Sequence, residues 1–472
     1  MALSTPSESP AVVVKEIDLT GGVPNVQSTT GATVLNSRWG PVDERVLIAN
    51  EADLVDRFGS PDTTTTFSFH RANMFLKYSS KMQTVRIIDS AACNATSTTR
   101  SDNTTPTAAS LKEVVKNETD FNSQLSGLTT DKHTFVAKYP GALGNSLQVQ
   151  LCLPGKHGDS AYTNWNFKGE FDAAPRTSDF ATKRAATNDE VHALVIDKKG
   201  LFTGTADTVL ERFAFASVGS NAKDNAGSNI FIKDVINETS QYVWMINGDS
   251  SMISTLTDDA DAAHTQAAFG TTIDSGDNFA RNSGTTMIGA GVAPISFDFD
   301  SGVDVSSLSD GQILAGYDLF EDKDQVEIDF LLAPGSATRS SMTAIVNDLV
   351  TTASSLRKDC VVVASPARDD VVNVNAAATA TTNIVATADT YTKSSYLVMD
   401  GNFLKVYDKF NDQFIEIPAS SSTAGIMAAT DLNRAPWFSP AGSRRGQYLG
   451  ITAINYSPTK AQRDTLYKAG VN

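Results

Sequence analysis

The sequence predicts an α/β and α+β multidomain protein: a central two-sided α/β domain built from a discontinuous chain, a β-rich excursion from it, and a further α+β domain towards the C-terminus. Three observations carry that expectation. The 472 residues exceed the ~250–300 at which a single hydrophobic core stops growing. Positions 308–366 read as helix, strand, helix, strand with short connections, the order of a parallel sheet with right-handed crossovers. Elsewhere short apolar runs alternate with Gly, Ser, Thr, Asn and Asp clusters, the pattern of antiparallel strands and loops.

In chain order, positions 1–9 are rich in Ser, Thr and Pro, and AVVVKEIDL (11–19) has the β-branched character of a strand. With no neighbour to hairpin with, that strand must find a sheet edge elsewhere. GATVLNSRWGPVDERVLIAN (31–50) reads as two strands about a turn at Gly40 and Pro41, followed by a short helix, EADLVDRFG, closed by Gly59. Phe67, Arg71, Met74, Phe75 and Tyr78 fall at helical spacing, and QTVRIIDS (83–90) reads as a buried strand. Residues 91–132 are poor in large apolar groups and predict a surface excursion. HTFVAKYPGALGNSLQVQLCL (133–153) reads as two strands around a Pro-Gly turn, and EVHALVIDKKG (190–200) with TVLERFAFAS (208–217) as an antiparallel pair. Positions 218–310 read as loop-rich β.

The clearest segment is SDGQILAGYDLFEDKD, a helix, then QVEIDFLLAPG, a strand. SMTAIVNDLVTTASSLRKD sets Met342, Ile345, Val346, Leu349, Val350, Ala353 and Leu356 on one helical face, and CVVVASP suits a strand covered on both sides. SSYLVMDGNFLKVYDKFNDQFIEIP (394–418) holds two strand-like runs around Asp400 and Gly401. A helix, STAGIMAATDLN, a strand, GQYLGITAINY, and a last helix with Ser457 as N-cap, Pro458 at its first position and Gly470 at its end complete the chain.

Composition narrows the function. No apolar run reaches the ~20 residues of a membrane span, and MALSTPSESPAVVVKEIDL lacks the basic and apolar regions of a secretory signal, so folding in the cytosol is expected. The net charge of −16 argues against nucleic-acid binding, which relies on clustered Lys and Arg. Cys93, Cys152 and Cys360 are widely spaced and read as reduced, structural thiols.

No catalytic, cofactor or metal site is expected. The five histidines have no metal-like spacing, and nucleophile elbow, P-loop and dinucleotide fingerprint are all lacking. Asp298, Asp300 and Asp304 would be calcium candidates, but an EF-hand counted from Asp298 needs Gly and Glu where Val303 and Ser309 stand. Asp369 and Asp370 follow a parallel strand, where α/β enzymes keep catalytic groups; a helix cap or surface charge is the plainer explanation.

NRAPWFSPAG (433–442) asks for another kind of explanation. Pro436 and Pro440 fix φ, and Trp437 and Phe438 are large apolar anchors. Either the aromatics pin a connection onto the core, or the segment is a rigid interface loop whose neighbours Arg444 and Arg445 pair with acidic groups of another molecule.

APWFSPAGSRRGQ and KAQRDTLYKAGVN resemble segments of the contractile tail sheath proteins of tailed bacterial viruses. SPAVVVKEIDLT with SRWGPVDERVLIANEADLVDRFGSP, YPGALGNSLQVQL and LRKDCVVVASPARDDVV resemble further segments of that family in the same order. The resemblance implies a structural role without catalysis: a homo-oligomer of stacked six-membered rings around a tail tube protein, contracting on a baseplate signal to drive the tube through the host envelope. It further implies contacts with baseplate and tail terminator proteins, no cofactor, no nucleic acid and no membrane insertion, in a virion tail assembled in the host bacterial cytoplasm. A related contractile injection system is the alternative, and an α/β hydrolytic enzyme the remote one. The implied organisation is an N-terminal arm (1–22), a central or outer domain (23–90 plus 133–367), a short excursion (91–132) standing for a reduced protruding domain, and an inner α+β domain near the tube (368–472). Val12, Val13, Val14, Lys15 and Ile17 of the arm, with Trp437, Phe438, Arg444 and Arg445, are the implied subunit-interface residues. Members of the family continue past YKAGVN to a C-terminal arm, so a shortened chain, unable to polymerise alone, is expected here.

Overall fold

The structure is a computed structural model and describes residues 29–97, 114–124, 134–153, 160–246, 269–279, 294–305 and 307–472. Strand β1 (Gly31–Leu35) is buried throughout, and β2 (Arg45–Ile48) follows. Helix α1 (Glu51–Phe58) starts at Asn50, whose side-chain oxygen accepts from the Asp53 amide at 3.0 Å, and ends at Gly59 with φ of +77°. Helix α2 (Thr66–Leu76) leads to β3 (Met82–Arg86). β1 and β2 do not pair with each other as the turn at Gly40 suggested; β1 lies parallel and β2 antiparallel on the two sides of β3.

The chain then builds β4 (Asn94–Ser97), α3 (Glu118–Gln124), β5 (Phe135–Pro140), β6 (Leu147–Cys152), β7 (Glu190–Asp197), β8 (Thr208–Ser217), α4 (Ile232–Thr239), β9 (Val243–Met245) and β10 (Ile295–Asp300). These strands form one sheet in the order β8-β7-β6-β10-β4-β5-β9. The expected β7–β8 pair is present, from Glu190 opposite Ser217 to Asp197 opposite Thr208. β5 and β6 are not a hairpin: a 3-10 turn (Ala142–Ser146) carries the chain across, and β10 and β4 lie between them. The excursion therefore extends beyond 91–132. β4 and α3, which lie in that range, share the unit of β5–β10, because β4 supplies the rung between β5 and β10.

From there follow α5 (Asp310–Asp318), β11 (Phe330–Leu332), α6 (Arg339–Thr351), β12 (Val361–Ala364), α7 (Ala377–Ala388), β13 (Leu397–Met399), β14 (Phe403–Asp408), β15 (Gln413–Pro418), α8 (Ser420–Asn433), β16 (Ala453–Ile454) and α9 (Lys460–Lys468). The second sheet has the order β13-β12-β11-β1-β3-β2, parallel except for β2. Alternation sends Leu35, Phe330, Leu332 and Val363 towards α1, α2 and α8, and Val34, Leu331, Val362 and Ala364 towards α5 and α6. This is the two-sided α/β domain, assembled from chain ends some 300 residues apart, as the pairing of Gly31 with Phe330 illustrates. β13 completes it from beyond position 368.

Three local expectations change. Leu356 leaves the buried face of α6 and is exposed, because the helix continues as a π-helix over Thr352–Arg357 and the wider turn rotates it outwards. Asp400 and Gly401 do not close a hairpin; β13 joins the parallel sheet, while β14 pairs with β15 and β16 in a third, three-stranded sheet. The last helix is capped by Thr459, two residues beyond Ser457, in a reciprocal box with Gln462, and it does end at Gly470, φ +80°.

The two larger units meet around a buried arginine. Arg86 is fully buried and donates to the carbonyls of Ser37 (3.0 Å), Gly40 (2.8 Å) and, across the junction, Pro140 (2.7 Å). Burial pushes its guanidinium down to about 9, with Asp304 and Tyr139 pulling the other way. Trp39 inserts into the core of the seven-stranded unit, edge-on to Tyr139 and Phe202. At the neck, Cys93 and Val303 exchange both backbone hydrogen bonds, at 3.2 and 3.1 Å.

Candidate assembly interface

The candidate catalytic acids are dispersed. Asp370 is buried and bound to Arg339 at 2.5 Å and to the Thr387 hydroxyl, which ties the start of α6 to α7; Asp369 is exposed and points elsewhere. Asp298 accepts from Gln148 (2.6 Å), Asp300 from Ser301 (2.9 Å) and Asp304 from the Ala142 amide (2.7 Å), so the three carboxylates are separate turn and strand partners. Among the described residues no group of three or more His, Cys, Asp or Glu is placed to hold a metal ion, and no helix is long and apolar enough to cross a membrane. All three cysteines are buried, and none forms a disulfide among the described residues.

The surface that stands out follows α8. This helix starts at Ser420, whose amide meets the Ser365 hydroxyl at the end of β12, and packs Ala424 and Ala428 on the sheet. Pro436 then prevents its continuation. Beyond it Trp437 is 83% exposed, so the expectation that the aromatics pin this loop to the core fails. The pins are Tyr448 and Ile451 instead, which pack on Leu404, Val406, Ile415 and Ile417 of the three-stranded sheet. Tyr448 also meets the Thr423 hydroxyl at 2.9 Å, and the Leu449 amide donates to Tyr78 at 2.6 Å. With its ends held, the loop between them projects.

Within it, the Gly446 amide closes a turn onto the Gly442 carbonyl at 2.8 Å, Gly442 having φ of +128°, and Arg444 and Arg445 sit on that turn. The Arg445 guanidinium lies 4.6 Å from the Phe438 ring centre, and Trp437 stands edge-on to Phe438 at 5.9 Å. Arg434, Arg444 and Arg445 are exposed and make no ion pair among the described residues. The structure thus brings together the four C-terminal interface residues expected from sequence and adds Arg434. That addition was legible, because the chain has no carboxylate between Asp431 and Asp464. Val12, Val13, Val14, Lys15 and Ile17 lie outside the described residues.

Beside the loop, β14 is central in a sheet whose partner β16 covers only Leu404 and Lys405. Among the described residues no strand pairs with β14 beyond Lys405 on that side, where Tyr407 presents its backbone, or with the far side of the two-residue β16, a place where an extended segment can add. Tyr407 and Phe414 form an exposed cross-strand pair on the outer face, 5.4 Å apart.

The sheet is fixed to the α/β domain through Asp408, at the end of β14. It accepts from Thr66 (2.7 Å), Asn411 (2.7 Å) and the Phe410 amide (2.9 Å), and lies 3.1 Å from His70 Nε2. Burial alone would raise this carboxyl, but the donors outweigh it and hold it down at about 2. Burial pushes His70 down, with Asp408 pulling the other way. Asp400, under the start of α8, is the opposite case: burial pushes it up to about 7 against hydrogen bonds from Ser365 (2.7 Å) and Thr423 (3.1 Å).

Comparison with known proteins gives these surfaces a context. Residues 311–472 match the family model of the phage tail sheath protein central domain. Three curated proteins, each named tail sheath protein, align along almost all of the chain. That of Enterobacteria phage T4 is 24% identical over 98% of this chain and 79% of its own length. That of Vibrio phage KVP40 is 26% identical over 98% and 80%, and that of Salmonella phage ViI 26% identical over 100% and 78%. A solved sheath tail protein from Listeria innocua superposes with a TM-score of 0.48 and 12% identity, covering 94% of this chain and 64% of that one.

Proposed function

We infer that this chain, a homologue of the phage tail sheath proteins along almost its whole length, is a structural subunit of a contractile phage tail sheath, polymerising around a tail tube and shortening to drive the tube through the host envelope. The observation that carries the reading is the similarity along almost the whole chain to three tail sheath proteins, with identities of 24–26%.

At finer grain, the subunits form stacked six-membered rings. Their partners are one another, the tail tube, the baseplate and the tail terminator; assembly takes place in the bacterial cytoplasm, and the finished sheath belongs to the virion tail. The strand 11–19 of one subunit adds to the open edge of the three-stranded sheet of a neighbour, with Val12 and Val14 on one side and Val13 and Lys15 on the other. Residues from about 368 onward face the tube. Support comes from the short β16, which leaves room for an added strand, and from the exposed Trp437 loop beside it. Main-chain ties of this kind let rigid units pivot while staying connected, and contraction then requires two packings of the same subunits separated by free energy that their interfaces supply.

The test is electron microscopy of the purified product of the complete gene, with and without residues 1–22. Hollow striated tubes are expected from the first, and folded but unpolymerised protein from the second. A complete product that stays monomeric in every condition overturns the sheath reading, and tubes that persist without residues 1–22 overturn the role of the arm.

A further inference from the structure

Between Asp431 and Asp464 the chain carries five cations, Arg434, Arg444, Arg445, Lys460 and Arg463, in a molecule of net charge −16. Three of them, Arg434, Arg444 and Arg445, lie in the loop that carries the exposed Trp437, and Arg445 stacks on the Phe438 ring that Trp437 meets edge-on. A bare indole on a loop whose guanidinium groups make no ion pair among the described residues is suited to an acidic counter-surface, with the ring as apolar anchor and the arginines as paired donors.

The chain offers one. After α5, residues 318–327 hold Asp318, Glu321, Asp322, Asp324 and Glu327 against a single Lys323. All but Glu321 are exposed, and none of the five carboxylates joins an ion pair among the described residues. The nearby cations are engaged elsewhere. Arg45 gives its guanidinium to the Leu319 carbonyl (2.6 Å) and the Gln325 side chain (3.1 Å). Arg357 gives its own to the Phe320 and Val326 carbonyls and to Asp359. Glu321 is raised by burial first and then by the repulsion of Asp318 and Asp348, and Asp348 by burial first and then by Asp318. The basic loop leaves α8 on one face of the parallel sheet, whereas the acidic segment leaves α5 on the other. Two complementary surfaces so placed meet between copies in a head-to-tail contact, which propagates as a ring or a helix.

Building on the sheath reading, we propose that the Arg434–Arg445 loop of one subunit docks on the acidic segment 318–327 of a second copy, with Trp437 at the centre of the contact. The contact is ionic at its rim, so it weakens with salt.

The test uses the complete gene product with Arg444→Glu/Arg445→Glu, with Asp322→Lys/Asp324→Lys, and with all four changes together, followed by sedimentation velocity at low and high ionic strength. All four side chains are exposed, so thermal unfolding should match the unaltered protein and serves as the folding control. Each double reversal is expected to weaken self-association at least tenfold. An equimolar mixture of the two, in which every contact again joins opposite charges, is expected to recover it, as is the fourfold variant. If the unaltered protein forms tubes and the arginine reversal forms them equally well, this contact is wrong and the sheath reading stands. Loss on reversal without recovery in the mixture overturns the pairing, and a reversal that spares self-association but abolishes binding to a separate tube protein assigns the loop to that partner instead. An unaltered protein that never self-associates overturns both.

Discussion

Asp400 shows what one buried carboxyl does to stability. Its unfolded value lies near 3.8 and its folded value near 7. Between those values the folded chain holds a proton that the unfolded chain has released, so the contribution is complete below about pH 4 and is lost as pH rises through 7. Asp400→Asn, which cannot ionise, is expected to leave stability at pH 4 little changed and to raise it at pH 8. The ceiling is ~4 kcal/mol, about three pH units at ~1.4 kcal/mol each. Urea unfolding of both proteins at pH 4 and 8 measures this; equal midpoints at pH 8 would show that the carboxylate is solvated or paired. Asp408 has the opposite sign, its contribution being present above about 4 and lost as pH falls towards 2. The Thr423 hydroxyl touches both Asp400 and Tyr448, so ionisation of Asp400 also perturbs the anchor of the exposed loop.

At the scale of elements, α9 shows where local sequence suffices and where it misleads. Ser457 and Pro458 imitate a cap and a first helical residue, but Thr459 followed three residues later by Gln462 forms the reciprocal box. Thr459→Ala is expected to cost about 1 kcal/mol, and Ser457→Ala close to nothing; thermal unfolding of the pair separates them, and the reverse order would mean that the cap lies at Ser457. The T-x-x-Q signal was present in the sequence. The separation of β5 from β6 was not, since the turn between them looks the same whether its strands pair with each other or, as here, β5 pairs with β4 about 40 positions away and β6 with β10 about 150 positions away. Strand existence is a local property written in apolar runs, whereas strand partners are set by packing. The helix–strand order after 308 was legible because crossovers leave a parallel sheet few alternatives. For Trp437 the sequence left two readings open for a related reason: an aromatic residue predicts burial somewhere, and the monomer, where it is exposed, is only one of the places where burial can occur.

For the whole molecule, the neck at Cys93 and Val303 makes a separable unit of the seven-stranded sheet. Replacing residues 94–302 by a short Gly-Ser linker, with Trp39→Ser to remove the ring that would lose its cover, is expected to leave a remainder that unfolds cooperatively, with protected amides in β1, β3, β11 and β12. Arg86 keeps two of its three carbonyl partners in such a protein. Circular dichroism and hydrogen exchange test this; a molten remainder would mean that the parallel sheet depends on the excursion for its order. The domain limits expected from sequence put the excursion within 91–132 because that stretch is so poor in apolar residues, yet β4 inside it is fully buried, with Asn94 donating to the Val115 and Ala137 carbonyls and Ser97 accepting from the Phe135 amide.

The double hydrogen bond at that neck also decides how the protein bears a pull. Strands β1, β3, β11, β12 and β13 run side by side without passing through the inserted sheet, so tension applied across the scaffold is carried by their shared rungs and short-circuits the excursion at Cys93 and Val303. The inserted unit rides on the moving part as a passenger, free to differ in size or surface without altering the stiffness of the part that moves.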